Sequence, residues 1–575
     1  MAVKIRSVRL GGNGLSKARA HLRYIQRDGA ERQGKPGLLY GPERDAVDDN
    51  AFLEEGKDDR HQFRIIVSPE EAGDLADLKA FTRDVMAAAE RDLETRLDWV
   101  AVNHHDTDHP HVHIVLRGKD DYGKDLVIAR NYITHGFRNR AEELATLELG
   151  PRRDIDIAKS RFADVEKERF TKLDRNLLDV AENSVVQLSK PATPFDRFQS
   201  KLLLGRLRAL EKMKLAHRDD GEWRLSPQLE PALKDLGRRG DIIRSMSAAL
   251  GSQLTIDSLR EFSSENAPEK IIGRIAGSGA ADDAHESRFF AIDGADGNQW
   301  HVAVEFEPGA APPVGAIVEA SQSLGRPRKS DRTIAVIANE NGGRYSDDLH
   351  RAADPSARDE YRLAHKRRLE ALRRAGIVDR HDDGSWRIPE NYLERAAAFE
   401  TSRAASKIEV LSWVALDTLP EAPAQTFLDD ALEQGRDFGA AQNRFGAELN
   451  TAMAARRRWL LRNDLAVQTG DRFGIDRESL QRLEHDAMNA SASAIARETG
   501  KKFAPPVEGE TIAGKYVRPV DLPSGRFALI EKSKEFTLAP WREALERRRG
   551  LEISGTMQRG KVSWDFARRM RGLGR

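Results

Sequence analysis

Five of the fifteen histidines of this chain fall within one ten-residue segment, residues 104–113. His111 and His113 are two residues apart in a predicted strand. Because successive side chains of a strand point to opposite faces, these two imidazoles lie side by side on one face. His104 ends the preceding predicted strand and supplies a third nitrogen across the turn. Three imidazoles with open coordination positions are typical of a catalytic metal site.

The residues around this segment narrow the chemistry further. Asp106 lies in the turn, close enough to accept a ring N–H and fix the tautomer of a ligand histidine. The chain has no cysteine, which excludes thiolate nucleophiles, iron–sulfur clusters and Cys-ligated zinc. The His-x-His-x-Asp-His pattern of β-lactamase-type zinc hydrolases and the His-Glu-x-x-His pattern of metalloproteases are both absent. Any metal must therefore be held by His, carboxylate or backbone oxygen.

A candidate nucleophile lies near the N-terminus, in a helix predicted over residues 16–28. Tyr24 is one of only eight tyrosines in the chain, and three cations repeat beside it at steps of four: Arg19, Arg23 and Arg27. A phenol with a pKa of about 10 needs a base or nearby positive charge before it attacks a phosphodiester. From the residues alone, Tyr24 is either that nucleophile or a half-buried tyrosine of an amphipathic helix.

The elements that must position these residues alternate between strand and helix. Strands are predicted at Lys4–Leu10, His61–Val67, Trp99–His104 and His111–Arg117. Helices are predicted at 16–28, Asp74–Arg96 and Tyr132–Leu149. Mixed strands and helices with a hairpin at the centre indicate an antiparallel α+β sandwich.

Beyond about residue 160, a helix followed by an aromatic hairpin recurs. The helix segments Arg206–Leu210, Arg368–Leu372 and Arg457–Leu461 lead to hairpins at 220–225, 383–388 and 470–475, the last copy being the weakest. Each hairpin has a Gly turn and an aromatic residue, which is how a winged helix-turn-helix unit ends. Such units bind DNA or pack on each other, and both interpretations stay open.

Residues 270–340 show short alternating runs between turns rich in Gly and Pro, which predict a small β-barrel or sandwich. The runs are Ile271–Ile275, Phe289–Ile292, Trp300–Phe306 and Thr333–Ile337. Residues 503–575 have a similar pattern and end in a basic tail.

Charge is distributed unevenly, although the whole chain has 93 basic and 93 acidic residues. Residues 1–150 hold 23 basic and 27 acidic residues, a net of −4, and residues 501–575 hold 17 and 9, a net of +8. The zero total therefore argues against strong sequence-blind DNA binding, and not against DNA as a substrate. No apolar stretch approaches the ~18 residues of a membrane span, and no secretory signal is visible, so we expect a cytoplasmic protein.

The order of elements resembles that of the relaxase/mobilisation nuclease family. A Tyr-bearing helix, the strand at 61–68 and a long helix precede the pattern His-x-Asp-x-x-x-x-His-x-His, which begins at His104. The family belongs to the His-hydrophobic-His endonuclease superfamily, and the closest type includes the T-DNA border endonuclease. The resemblance covers roughly residues 1–160. The remainder resembles the long C-terminal region of a bacterial subgroup.

The resemblance implies a conjugative relaxase, which nicks one strand of DNA at an origin of transfer for export through a type IV secretion system. Tyr24 would attack, forming a 5′-phosphotyrosyl bond and leaving a 3′-hydroxyl. His104, His111 and His113 would hold one divalent ion, Mg²⁺ or Mn²⁺. Asp106 would orient a ligand histidine or assist deprotonation of Tyr24.

The resemblance also implies contacts and partners. Ser68 matches a motif whose polar residue contacts DNA, and it is equally a candidate N-cap for the following helix. The predicted DNA contacts from cations are Arg19, Arg23, Arg27 and Arg117. The partners are single-stranded or supercoiled DNA, accessory relaxosome proteins and a secretion coupling protein.

Two alternatives remain from the sequence. A rolling-circle replication initiator would use a later tyrosine, with Tyr132 the strongest candidate and Tyr40 and Tyr122 behind it. A non-catalytic DNA-binding scaffold would carry a vestigial histidine cluster.

The predicted fold class is α+β: an N-terminal antiparallel sheet with helices, then winged-helix-like α/β repeats and small β-barrel modules. The predicted domains are a nuclease domain (1–160), a helical or winged-helix-like module (161–265), a small β-barrel (266–345), a helical region with two winged-helix-like repeats (346–500) and a basic β-rich module (501–575).

Overall fold

The fold was obtained as a computed structural model. It describes residues 1–10, 18–19, 21–22, 25–26, 37–70, 72, 75–105, 110–151, 161–187, 191–219, 221–263, 267–282, 287–304, 310–323, 325–401, 406–438, 444–470, 472–558 and 560–565. The chain divides into one compact unit of Met1–Ser245 with 282–286, and a second of Met246–Ala281 with Ser287–Arg575. Among the described residues, no helix combines the length and the apolar character needed to cross a lipid bilayer.

The first unit begins with a four-stranded antiparallel sheet of order β1-β2-β4-β3. Its strands are β1 (Ala2–Arg9), β2 (His61–Ser68), β3 (Trp99–His104) and β4 (His111–Arg117). This sheet and the helices around it confirm the predicted α+β class.

Three α-helices accompany this sheet in the described residues: α1 (Asp49–Glu55), α2 (Leu78–Leu93) and α3 (Phe137–Leu149). A π-helical turn at Tyr132–Gly136 leads into α3, so the predicted helix at Tyr132–Leu149 exists with an irregular first turn. Asp77 caps α2 by accepting a hydrogen bond from the backbone N–H of Lys79 at 2.8 Å. The predicted start at Asp74 and the N-cap role of Ser68 are therefore wrong.

The two faces of the sheet have different partners. On one face, Val112, Ile114 and Leu116 of β4 pack in a core with apolar residues of α2 and α3. On the other face, Val100, Val102 and Val115 pack with Ala18, Leu22 and Ile25. Those last three residues are helical, whereas most of the helix predicted over 16–28 lies outside the described residues. The histidines lie on this second face.

The first unit continues with a second helix–sheet module. Its elements are α4 (Lys172–Val180), β5 (Ala181–Glu182), β6 (Val185–Val186), α5 (Pro194–Lys212), β7 (Ala216–Asp219), β8 (Glu222–Leu225) and α6 (Leu229–Leu250). The four strands form a sheet of order β5-β6-β8-β7.

The second unit contains two six-stranded sheets and helical segments. Its first part consists of β9 (Leu259–Glu261), β10 (Lys270–Asp282), β11 (Ser287–Gly294), β12 (Gln299–Val304), β13 (Ile317–Ser321), α7 (Lys329–Glu340), β14 (Arg344–Tyr345), α8 (Asp347–Ala353), α9 (Asp359–Arg374), β15 (Asp379–Arg380), β16 (Trp386–Arg387), α10 (Tyr392–Thr401) and β17 (Lys407–Ser412). Its second part consists of α11 (Phe427–Glu433), α12 (Arg444–Arg462), β18 (Ala466–Thr469), β19 (Arg472–Ile475), α13 (Arg477–Thr499), β20 (Lys502–Phe503), β21 (Thr511–Leu522), β22 (Gly525–Glu531), β23 (Glu535–Pro540), β24 (Glu552–Gln558) and β25 (Lys561–Asp565).

One predicted strand of the second unit is wrong. Thr333–Ile337 lies in helix α7, in which Ile334, Ile337 and Ala338 are buried at helical spacing. The sheet of order β17-β13-β10-β11-β12-β9 is instead completed at one edge by β17, which lies beyond the predicted 266–345 segment.

The three repeats share a buried arginine on the long helix that precedes each hairpin. Arg206 donates to both carboxylate oxygens of Asp174 at 2.7 and 3.0 Å, and both side chains are 0% exposed. Arg368 pairs in the same way with Asp331, and Arg456 with Asp429. Each aspartate also accepts from the backbone N–H three residues earlier. A capped helix is thus fixed to the long helix that precedes each hairpin.

The connection from helix to hairpin also repeats. A residue with positive φ follows each long helix: Lys214, Gly376 and Asp464. The next residue then donates its N–H to a carbonyl five residues back, at 2.8–2.9 Å. These residues are Leu215, Ile377 and Leu465, and all three are buried. The repeat seen in the sequence is therefore a structural repeat, but the equivalent segment of the third copy begins at Arg456 and not at the predicted Arg457.

Candidate metal centre

The hairpin of β3 and β4 brings the three predicted ligand histidines together. His104 is the register partner of His111, and Val102 is the partner of His113. Opposite residues of an antiparallel pair share a face, so all three imidazoles lie on the face that carries Val100, Val102 and Val115. The predicted phasing of the strand is thus present in the structure.

The three rings form a compact, buried cluster. Ring centroids are 5.2 Å apart for His104 and His111, 4.3 Å for His104 and His113, and 5.0 Å for His111 and His113. The residues are 0%, 6% and 2% exposed, respectively. One nitrogen from each lies within 4.8 Å of the others, and this is the one group of three or more His or carboxylate residues with such geometry among the described residues.

The geometry of the cluster fits a metal ion. Two nitrogens bound to a divalent ion at about 2.0–2.1 Å with tetrahedral angles lie about 3.3 Å apart. The Nε2 atoms of His111 and His113 are 3.2 Å apart. Neutral imidazole is the form that binds metal. The arrangement can therefore hold one ion through three nitrogens.

His104 also contacts the main chain of the N-terminal segment. Its Nε2 lies 2.7 Å from the carbonyl oxygen of Ile25. Because a carbonyl only accepts, Nε2 carries the proton and Nδ1 is the nitrogen with the lone pair. A backbone carbonyl thereby fixes the tautomer of His104. From the sequence, this role is predicted for Asp106. Asp106 itself lies outside the described residues.

Cations line the same face of the sheet beside the histidines. Ile66 of β2 pairs with His113, and Arg64 pairs with Val115, so Arg64 lies one step along the shared face. Arg6 and Lys4 of β1 pair with Arg64 and Ile66. Sequence reasoning missed these three cations, although the alternation of Lys4, Arg6 and Val8 carried the signal.

The positive charge on this face is strong enough to shift the pKa of its neighbours. Burial, followed by repulsion from Arg6, lowers the pKa of Arg64 to about 10. Burial and the charges of Arg64 and Arg6 hold the pKa of His21 well below its ordinary value. His21 is consequently neutral at physiological pH. An anion such as a phosphodiester would relieve this repulsion.

The other predicted site residues have mixed outcomes. Ser68 ends β2 with the same parity as Ile66, so it belongs to the histidine face, and it is half-buried. Arg19 is helical and half-buried. Tyr24, Arg23 and Arg27 lie outside the described residues.

Arg117 lies at the end of β4 remote from His111 and is held by carboxylates. Its guanidinium donates to Asp59 at 3.0 and 3.1 Å, to Asp98 at 2.7 Å and to the carbonyl of Glu55 at 2.7 Å. Burial alone would lower the pKa of Arg117, but the bonds to Asp59 and Asp98 raise it. A DNA phosphate at Arg117 would have to displace these ion pairs, so the residue's visible role is to anchor the sheet.

The alternative tyrosines are placed away from the histidines. Tyr132 packs on the opposite face of the sheet and donates its hydroxyl to Asp92 at 2.8 Å, and burial with this bond raises its pKa. Tyr40 is buried in the same core and donates to Asn103 at 2.7 Å. Tyr122 is 81% exposed in the turn after β4, at the end of the strand opposite His111.

Comparison with protein families agrees with this geometry. Residues 46–145 match the MobA/VirD2-like relaxase nuclease domain, a segment that includes His104, His111, His113 and Ser68 and begins downstream of Tyr24. Residues 203–574, about two thirds of the chain, match a family described as a protein of unknown function, DUF3363. No curated protein matches the chain. The chain therefore belongs to the DUF3363 family and carries, upstream of the region that defines that family, the nuclease domain of a MobA/VirD2-like relaxase.

Proposed function

We propose that the protein is a conjugative relaxase that nicks one strand of origin-of-transfer DNA by transesterification. The observation that carries this proposal is the buried cluster of His104, His111 and His113 on a sheet face lined by Arg6 and Arg64. The cluster supplies metal ligands, and the cations supply contacts for the phosphate backbone of a DNA strand laid across the face.

Tyr24 is the proposed nucleophile. It directly precedes Ile25 in the sequence, and the carbonyl of Ile25 contacts His104, which supports this choice of tyrosine. Among the described tyrosines of the nuclease region, Tyr40 and Tyr132 belong to the core on the opposite face. This placement favours the relaxase order, with the tyrosine upstream of the histidines, over that of a rolling-circle initiator.

The proposed reaction is a transesterification at the scissile phosphate. The phenolic oxygen of Tyr24 bonds to the scissile phosphorus, and the bond from phosphorus to the 3′ oxygen breaks. Asp106 accepts the phenolic proton, and the leaving 3′ oxygen takes a proton from solvent water to become a hydroxyl. The product is a 5′-phosphotyrosyl bond. Because one phosphodiester replaces another, the reaction can run backwards and rejoin the strand.

The histidines would hold a divalent ion, Mg²⁺ or Mn²⁺, whose chemistry is to offset negative charge on the phosphate in the transition state. The Ile25 carbonyl keeps the lone pair of His104 on Nδ1. Arg64 and Arg6 hold the substrate strand, and Ser68 offers a hydroxyl on the same face. The proposal includes transfer of the linked strand through a type IV secretion system with accessory and coupling proteins.

The finer architecture of the C-terminal region is also a proposal. The elements α7, β14, α8, α9, β15 and β16 follow the order helix, strand, helix, helix and hairpin, with the three strands arranged β14-β16-β15. This order is that of a winged helix. We propose that all three repeats derive from this plan and that the six-stranded sheets form small barrel-like modules.

A covalent adduct tests the nicking mechanism. Full-length protein, Mn²⁺ or Mg²⁺ and end-labelled single-stranded origin DNA should give a protein–DNA species that survives denaturant. Tyr24→Phe should abolish it, and Tyr132→Phe is the matched control, expected to retain it. An adduct that persists in Tyr24→Phe and disappears in Tyr132→Phe would establish the initiator-like arrangement. Absence of any adduct with the wild-type chain would leave the non-catalytic scaffold.

A further inference from the structure

A stripe of unpaired cations runs along helix α5, outside the nuclease domain. Its members are Arg197, Lys201, Arg208 and Lys212. At about 100° per residue, these four positions fall within an arc of roughly 60° on the helix surface. All four are exposed, and none forms an ion pair within the part of the chain that the structure describes. The stripe extends for roughly 22 Å, at about 1.5 Å per residue.

The opposite side of α5 is fixed in a core. Leu202, Leu207 and Leu210 are fully buried there. Arg206, on that side, is held by Asp174 and by three backbone carbonyls at 2.7–3.0 Å. These contacts fix the rotation of α5 about its own axis, so the cation stripe has one orientation. Binding would therefore not require the backbone to become ordered.

Two further cations lie after α5, one in the connection and one in the hairpin. Lys214 and Arg218 are exposed and have no carboxylate partner in the described residues, whereas Arg224 is paired with Asp219 at 3.0 Å. Lys214 and Arg218 therefore add two cations next to the stripe, although the hairpin also carries the carboxylates of Asp219 and Glu222.

The chemistry of the stripe points to a polyanion and not to a protein surface. Phe195, at the start of α5, is a large hydrophobic side chain that is 61% exposed, but at about 100° per residue it lies outside the arc of the stripe. Protein interfaces depend on buried aromatic and aliphatic anchors, and the stripe itself carries none. Within the arc there is no carboxylate, and Glu211 only flanks it.

The equivalent helices of the other two repeats differ in this respect. On α9 the outward face carries Leu363 and Glu360 beside Arg367, and Arg374 lies 3.6 Å from Glu370. On α12 the exposed positions that correspond to the stripe are Ala447, Thr451, Arg458 and Arg462, and Arg462 lies 3.4 Å from Glu421. Cations therefore occupy all four positions in the first repeat alone among the three.

We propose that α5 and the β7–β8 hairpin form a second DNA-binding surface, which takes double-stranded DNA with α5 in the major groove. The groove is about 12 Å wide and admits a helix. The assignment deepens the nicking proposal and rests on it for the identity of the polyanion: the duplex flanking the nicked strand would be held here while the nuclease face holds the single strand.

Salt-dependent binding tests this surface. Full-length protein is titrated into a labelled 25-base-pair duplex in EDTA, at a series of NaCl concentrations. Each phosphate neutralised contributes a slope of roughly −0.9 in log K against log salt. The quadruple variant Arg197→Gln, Lys201→Gln, Arg208→Gln, Lys212→Gln should flatten the slope by about 3 and lower affinity at least 100-fold at low salt.

The matched control removes four cations from α9: Lys366→Gln, Arg367→Gln, Arg373→Gln and Arg374→Gln. It should leave the slope within about 1 of wild type. Equal losses in both variants would show an effect of net charge and overturn the proposal, as would an unchanged slope in the α5 variant. An equal loss with a single strand of the same length would overturn the assignment to duplex.

Paired variants provide a second measurement of the same surface. If the quadruple variant fails to fold, the pairs Arg197→Gln with Arg208→Gln and Lys201→Gln with Lys212→Gln should each give about half the change in slope. The measurement uses neither metal nor cleavage. A failure here therefore leaves the adduct experiment on Tyr24 standing, and a failure of that experiment leaves duplex binding by α5 to be judged by its own slope.

Discussion

The imidazole of His104 and the main-chain carbonyl of Ile25 are joined by a contact of 2.7 Å. This bond ties a buried member of the histidine cluster to the N-terminal helical segment, which is 79 residues distant in sequence. Loss of the imidazole of His104 should therefore also remove a contact of the segment at Ile25.

We expect His113→Ala to weaken Mn²⁺ binding by at least 100-fold, because the two remaining imidazoles cannot complete the three-nitrogen set. Isothermal titration of the full chain at pH 7.5 measures this. His135, which is exposed and hydrogen-bonded to neighbours on its own helical turn, provides the control His135→Ala, expected to bind like wild type. Equal affinities for wild type and His113→Ala would remove the metal assignment.

Arg64→Gln should lower the affinity for a single-stranded oligonucleotide by about tenfold, the effect of losing one charge-assisted contact of roughly 1.4 kcal/mol. Arg117→Gln is the matched control on the neighbouring strand. Its guanidinium is engaged by Asp59 and Asp98, so we expect a loss of stability with little change in affinity. Fluorescence anisotropy with denaturant titration of both variants separates the two effects. The opposite pattern would return the DNA contact to Arg117.

Arg206→Met should destabilise the first unit by about 3–5 kcal/mol, since Asp174 would be left buried without its cation. The double variant Arg206→Met with Asp174→Leu should recover part of that loss, because it removes both charges but leaves the N–H of Thr171 and three backbone carbonyls without these partners. Urea unfolding followed by tryptophan fluorescence measures the difference. If the double variant is no more stable than the single one, the destabilisation is not due to the unpaired charge of Asp174, and the ion pair itself stabilises the folded state.

His301 should make the second unit sensitive to acid. It is buried and its ring stacks on Phe289 with centroids 4.6 Å apart, and burial lowers its pKa to about 4. The unfolded chain, with a pKa of about 6.5, binds the proton more readily, so stability is present above pH 6.5 and falls as the pH drops towards 4.

Between pH 7 and pH 5 this residue should account for a loss of about 2 kcal/mol. His301→Phe removes the titrating group and keeps an aromatic ring, so its unfolding free energy should change less over the same range. Urea unfolding at the two pH values provides the comparison, and parallel losses in wild type and variant would contradict the assignment.

Local patterns were sufficient to predict the hairpin that carries the histidines. The predicted bounds of Trp99–His104 and His111–Arg117 agree with the structure, because alternation of side chains and a polar turn determine both the strands and their phasing. The face shared by His111 and His113 followed directly from that phasing.

Other features depend on residues far apart in sequence. The partners of Arg117 are 58 and 19 residues away, so its anchoring role has no local signal. Thr333–Ile337 has the β-branched composition of a strand, but Asp331 caps it as a helix through a hydrogen bond from Arg328. Arg206, Arg368 and Arg456 look like surface cations of amphipathic helices, and only the distant aspartates place them in cores.

In each repeat, the buried Arg–Asp pair makes the internal framework independent of the residues on the outward face of the long helix. Because the pair and the helix-to-hairpin connection set the framework from inside, the outward face of the long helix is free to differ, as it does between α5 and α9. The three repeats therefore share the same interior contacts and differ on the outward face of the long helix. Transplanting the four cations of α5 onto the corresponding outward positions of α9 would be expected to create a new polyanion-binding face without redesigning the fold.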